Sequence, residues 1–199
     1  MLTIDSDTPS GEVLALAATI LRDGGLVAFP TESFYGLGAD ALMPRALDRV
    51  FSVKGRPESK PLLVLVDSVT MTESLASDVP ARARDLMTRH WPGALTLVLR
   101  AAAHVPDRLT GGTGTIGVRM PAHPVALGLV RALQRAVTAP SANPSGAPPP
   151  TTAGAVRDYF DGSVDLILDG GPTAGGAGST IADCTEWPPR IVRQGPVTL

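Results

Sequence analysis

The chain has 199 residues with 44% hydrophobic, 18% charged and only 4% aromatic side chains, enough for a substantial core built mainly from Val, Leu, Ile and Ala. A formal net charge of −2 argues against a general electrostatic grip on nucleic acid and leaves only a local basic groove open. The single cysteine, Cys184, excludes an internal disulfide and any multi-cysteine metal site. Met1–Asp5 has no basic-then-apolar leader and no apolar run could span a bilayer, so a cytoplasmic protein without a membrane partner is expected.

Ser10 is the expected N-cap of a helix whose apolar face is Val13, Leu14, Ala17, Ile20 and Leu21, stopped by Gly24-Gly25. Leu26 to Phe29 reads as a buried strand ended by Pro30. Thr31 to Gly38 then reads as a polar, glycine-punctuated turn at the strand's C-terminal end, where open α/β sheets place ligands. A helix begins near Pro44 and runs into Lys54-Gly55-Arg56-Pro57-Glu58-Ser59-Lys60-Pro61. The chain's two lysines, among 17 Lys plus Arg, both fall in this loop. Three cations on a loop stiffened by two prolines suggest an anion site, although a solvated basic turn is the ordinary alternative.

Leu62 to Val66 is the next buried strand, followed by helices after Ser68 and Pro80. Trp91-Pro92-Gly93 turns the chain into a strand over Ala94 to Leu99, and a loose segment ends at Gly111-Gly112-Thr113-Gly114. A strand follows over Thr115 to Arg119, a helix over Pro124 to Leu133, and a short strand over Ala136 to Ala139. Thr151 or Thr152 caps a helix through Phe160, and Val164 to Leu168 is a strand. After the glycine-rich loop Asp169 to Gly178, Ser179 to Ala182 and Arg190 to Arg193 read as closing strands. Buried strands mixed with amphipathic helices, without a repeat or linker, predict one α/β domain over residues 1–199.

Familiar catalytic motifs are missing. Gly171 and Gly176 have P-loop spacing, but Ala177 stands where the lysine should be, and no Gly-x-Gly-x-x-Gly follows a strand. Ser141 lacks the flanking glycines of a nucleophile elbow. His90, His104 and His123 are scattered, and Asp165, Asp169, Asp183 and Glu186 suit turns better than acid–base work. What recurs at strand ends is a set of cations (Lys54, Arg56, Lys60, Arg119, Arg193) and small polar side chains (Thr31, Ser33, Thr115, Ser141, Asn143, Ser179). Such groups position anions and stabilise phosphoryl charge without covalent chemistry.

In this order the segments resemble the YrdC-like family of threonylcarbamoyl-AMP synthases, in its short single-domain form. The matching text is Phe29 to Ala41, Lys54-Gly55-Arg56-Pro57 with Lys60-Pro61-Leu62, and Trp91-Pro92-Gly93 with Thr96. It continues with Gly117 to Pro121, Ala139 to Asn143 with Ser145-Gly146, Ser179-Thr180-Ile181 and Arg193-Gln194-Gly195. The resemblance implies a twisted open mixed α/β sheet with flanking helices and a concave, locally basic face. It implies that L-threonine, bicarbonate and ATP, with Mg2+, give threonylcarbamoyl-AMP and pyrophosphate. The product would serve a downstream tRNA threonylcarbamoyl transferase complex, with weak tRNA binding a further expectation. Carried over by position, Thr31, Ser33, Tyr35, Arg119, Ser179 and the backbone at Ala139 are the expected threonine contacts. Arg56, Lys60, Thr115, Ser141, Asn143 and Arg193 are the expected ATP contacts, Lys54 and Arg56 the catalytic pair, and no resident metal site is implied. Leu65 replaces a pocket histidine, Pro149 a serine, and Ser33 a threonine of many relatives. An RNA-binding module, or an enzyme with a similar carbamoyl-adenylate but another acceptor, are the competing readings; the negative charge and few aromatics weigh against the first.

Overall fold

The computed structural model describes residues 1–160 and 162–199, and most elements lie where the hydrophobic pattern puts them. The first half contains β1 (Leu2–Thr3), α1 (Gly11–Arg22), β2 (Val27–Pro30), β3 (Tyr35–Gly38), α2 (Pro44–Lys54), β4 (Leu63–Leu65), α3 (Val69–Leu75) and α4 (Ala81–His90). The second contains β5 (Leu95–Arg100), α5 (Asp107–Thr110), β6 (Thr115–Arg119), α6 (Pro124–Leu133), β7 (Val137–Thr138), α7 (Ala153–Phe160), β8 (Leu166–Asp169), β9 (Thr180–Asp183) and β10 (Arg190–Arg193).

Helix ends follow local chemistry. Pro44 opens α2 at its first turn, where no N–H is needed, and Gly55 (φ 54°) closes it in the left-handed conformation. Ser68 Oγ accepts from Met71 N at 3.1 Å and caps α3, and Thr152 Oγ1 accepts from Ala155 N at 3.2 Å, the cap expected there. Ser10 holds the cap position of α1 through its backbone alone, its carbonyl accepting from Leu14 N; its hydroxyl makes no capping bond.

Two mixed sheets form. One has the order β1-β8-β2-β3, the other β10-β9-β5-β6-β4-β7. Parallel pairs (β1·β8, β2·β8, β4·β6, β5·β9) are combined with antiparallel ones, giving the open mixed α/β architecture expected. The sheets meet where β3 runs beside β7 and the chain after it, through isolated bridges Gly36↔Ser141 and Asp40↔Val137. Leu37 N also donates to Pro140 O, and Ala142 N to Tyr35 O.

One expectation is corrected. Residues 35–38 are a strand, antiparallel to β2, and only Thr31–Phe34 form the turn. Gly36 and Gly38 look like turn residues but clear space for the Phe29 ring, which lies 3.2 Å and 2.8 Å from where their Cβ atoms would be. Two elements escaped the sequence: β1, whose two residues pair only with β8, and the one-turn α5 inside the loose segment.

α1 and α6 pack on the first sheet, burying Leu14, Leu21, Leu129 and Val130 with Phe29 and Leu168. A second apolar cluster joins α2, α4 and α7 to the inner faces of both sheets through Leu47, Val50, Leu86, Leu97 and Val118. Among the described residues no helix is long and apolar enough to cross a membrane.

Candidate active site

The β2–β3 turn is built to present Ser33. Thr31 Oγ1 donates to Phe34 O at 2.6 Å, and Ser33 N donates back to Thr31 Oγ1 at 3.3 Å. Ser33 O then accepts from Gly175 N at 2.7 Å, and the buried Tyr35 hydroxyl donates to Gly171 O at 2.7 Å. These two bonds draw the glycine-rich loop over the turn. Burial, helped by the Asp169 charge, pushes the Tyr35 phenol up to about 12, so it acts as a donor.

Arg119 ends β6 with its side chain almost wholly buried. Its Nε donates to Gly93 O at 2.9 Å and one terminal nitrogen to the Glu32 carboxylate. The same carboxylate accepts from Ala122 N and from His123 N at 3.1 Å. Burial tends to raise the Glu32 pKa, but the Arg119 charge and these donors outweigh it and hold the carboxyl below its ordinary value. Glu32 contributes stability above the ordinary carboxylate pKa, and loses it as pH falls through the depressed folded value. Glu32→Gln is therefore expected to cost about 1.5–3 kcal/mol at pH 7, the range for hydrogen bonds to a charged group. Urea unfolding should show the difference shrinking in acid; a gap unchanged below pH 4 would refute the assignment.

Across the cavity, Thr96 Oγ1 and Ser179 Oγ share a hydrogen bond of 2.8 Å, both buried. Arg193 Nη2 donates to Ser179 Oγ at 3.1 Å, and Nε to Ser179 O at 3.0 Å. A register shift between Ile191 and Arg193 lets Val192 and Arg193 both face the cavity, the usual use of a bulge beside a site. Burial, with the Arg119 charge nearby, lowers the Arg193 pKa, yet the group stays cationic. Arg56 is half-buried, its guanidinium tied to Lys60 O (3.3 Å) and Pro61 O (2.8 Å).

These groups line one cavity of about 400 Å3. Of the expected site residues it gathers Thr31, Ser33, Tyr35, Arg56, Thr115, Arg119, Ala139, Ser141, Ser179 and Arg193. Leu65 and Pro149 are also in the wall, while Ser33, Arg119 and Ser179 additionally border a second hollow of about 340 Å3. Three expected residues are placed elsewhere. Lys60 is exposed outside the wall. Asn143 is buried, its Nδ2 donating to Pro144 O and Ala147 O. Lys54 is 3% exposed, and its ammonium donates to Ser141 O (2.5 Å) and Asn143 O (2.6 Å) rather than facing the hollow. Burial, with the Arg56 charge adding to it, pushes Lys54 down to about 8.

Two residues that matter here were not singled out as site residues. Glu32 and Thr96 stand in the matching segments, but only the fold shows that they orient Arg119 and Ser179. Among the described residues no group of three or more His, Cys, Asp or Glu could hold a metal ion, so the donor set does not fit a resident metal. Any Mg2+ would come as part of a nucleotide, on its phosphates.

A family model described as Telomere recombination, and named for Sua5, YciO and YrdC, matches residues 19–195. The chain belongs to the Sua5/YciO/YrdC family. Within it, the threonylcarbamoyl-AMP synthase of Pyrococcus abyssi is 48% identical over 186 residues, covering 94% of this chain and 55% of the relative. The crystal structure of P. abyssi Sua5 complexed with L-threonine matches with a TM-score of 0.95 and 46% identity, over 100% of this chain and 59% of that one. E. coli YciO matches with a TM-score of 0.90 and 28% identity, over 99% of this chain and 96% of its own. The chain thus spans about half the length of the Pyrococcus synthase. The expected family and mixed α/β fold are borne out.

Proposed function

We propose that the chain is a threonylcarbamoyl-AMP synthase, a nucleotidyltransferase acting on L-threonine, bicarbonate and ATP. The observation that supports this most is that one cavity collects the Arg56, Arg119 and Arg193 guanidinium groups and the Ser33, Thr115, Ser141 and Ser179 hydroxyls from six separate segments. Three planar cationic forks suit carboxylate and phosphate oxygens, and the hydroxyls can fix the remaining polar atoms.

In this reading the threonine carboxylate pairs with Arg119, whose orientation Glu32 and Gly93 already fix. The threonine amine attacks the bicarbonate carbon and water leaves, giving a carbamate. A carbamate oxygen then attacks the α-phosphorus of ATP, and pyrophosphate departs with the electron pair of the broken P–O bond. Arg56 and Arg193 bind phosphate oxygens, and Thr115 and Ser141 position the nucleotide. Mg2+ carried in with ATP would offset phosphate charge, and no residue of this chain is assigned to hold it. No side chain forms a covalent bond; acceleration comes from holding three reactants together and offsetting charge in a restricted hollow.

Incubation with ATP, Mg2+, bicarbonate and threonine is expected to give the mixed anhydride by mass spectrometry, with pyrophosphate release dependent on threonine. Release that persists without threonine would point to another acceptor; tRNA binding without turnover would favour the RNA module. The proposed setting is the cytoplasm, with the product passed to a tRNA threonylcarbamoyl transferase.

A further inference from the structure

Lys54 ends α2 and grips the chain segment that carries Ser141. Its ammonium donates to two main-chain carbonyls, Ser141 O and Asn143 O, and its own carbonyl accepts from Ser145 N at 2.6 Å. The helix end therefore holds residues 141–145 at three points. Ser141 O and Asn143 O converge on the same nitrogen, and carbonyl oxygens turned towards one another repel unless a cation lies between them. Asn143 Oδ1 is buried with no hydrogen-bond partner among the described residues, so the segment also holds one buried oxygen without a donor. On its other side the same backbone pairs Ala142 N with Tyr35 O and places Ser141 in the cavity wall, beside the hairpin that presents Ser33.

We propose that Lys54 is a positioning residue, an internal monovalent cation that folds the Ser141 and Asn143 carbonyls inward and so aims Ser141 at the nucleotide side of the cavity. This rests on the synthase reading for the word nucleotide, but not for the strut itself. A lysine suits the task because its ammonium is a compact point charge on which both carbonyls converge at one nitrogen, whereas a guanidinium spreads its donors over a wider planar fork. The group's burial, 3% exposed with no carboxylate among its hydrogen-bond partners, is consistent with a role satisfied wholly by main-chain oxygens.

The test uses the full chain and starts from a readout independent of turnover. In Lys54→Ala, amide exchange at Asn143, Ser145 and Ala147 should quicken about 10- to 100-fold, the loss expected for hydrogen bonds to a charged group. Ammonium chloride should slow it again by occupying the vacated position, and tetramethylammonium chloride at equal ionic strength should not. Lys54→Met, which keeps the stem and fills the space, should show the same faster exchange without rescue, and it carries the test if the alanine variant does not fold. In the turnover arm, pyrophosphate release should fall about 100-fold or more in Lys54→Ala and recover with ammonium, mainly in kcat, as expected for a lost electrostatic support. Unchanged exchange over residues 141–147 together with weakened ATP binding would mean that Lys54 touches phosphate directly, and would overturn the proposal. Faster exchange that ammonium does not slow in the alanine variant would overturn it too. If the wild-type protein releases no pyrophosphate with threonine, the synthase reading fails, while the exchange results still decide the strut.

Discussion

Arg56→Ala is expected to lower threonine-dependent pyrophosphate release by about 10²–10³-fold, the usual loss when one electrostatic donor is removed from a transition-state site. Arg56 combines two properties. Its side chain lines the cavity, and its guanidinium is held in place beforehand by the carbonyls of Lys60 and Pro61. The orientation is thus settled before any ligand arrives, which reduces the reorganisation that binding requires. Because the residue is only half-buried and lies in a loop past the end of α2, the fold should survive. Losing two bonds from a charged donor on a partly solvated loop should lower the melting temperature by about 2–4 °C, the shift for about 1 kcal/mol in a chain of this size. Arg56→Lys should keep part of the activity, since charge is retained and the fork is lost. The decisive measurement is pyrophosphate release at saturating threonine. Near-normal release from the alanine variant, with a normal melting curve, would remove Arg56 from the site.

Gly195→Ala is expected to damage both stability and turnover. Gly195 lies against the start of β9, where an added Cβ would fall 2.5 Å from Gly178 O and 2.6 Å from Ser179 C, and closer still to Thr180 N. All three are main-chain atoms, so no side chain can swing aside. Gly195 N also donates to Thr180 Oγ1 at 3.0 Å, and Val197 N to the same oxygen at 3.1 Å, fastening the chain beyond β10 to β9. Forcing a methyl group into this contact should cost about 2 kcal/mol, within the usual range for overpacking. The melting temperature should then fall by about 4–8 °C. Two residues away, Arg193 loses its purchase on Ser179, so turnover should fall beyond what the unfolded fraction explains. A Gly195→Ala protein with unchanged melting and full activity would show that the contact yields easily.

The elements that declared themselves in the sequence are those with an uninterrupted period. α6 over Pro124–Leu133 and β6 over Thr115–Arg119 occupy the expected residues, because apolar spacing and flanking proline or glycine agree there. β3 was obscured because its glycines serve the Phe29 ring across the hairpin, information held by a residue on another strand. The site was legible as a set of strand-end cations and small polar side chains, and eight of those residues do meet in one hollow. Their division of labour was not. Nothing near Lys54 in the sequence reveals that its partners are carbonyls 87 and 89 residues away, and nothing near Arg119 reveals Glu32. A lysine in a basic stretch reads the same whether it faces a phosphate or the protein's own backbone.

The two sheets are joined by a seam of isolated bridges and main-chain bonds above a shared apolar cluster, and the cavity lies along that seam. Thr31, Ser33 and Tyr35 face it from the side of the first sheet, while Thr115, Arg119, Ser179 and Arg193 face it from the second. A molecule bound there acts as a clasp between the two sheets. Ligand at about a hundred times the dissociation constant would add about 2.7 kcal/mol against unfolding, through contacts made to both sheets at once.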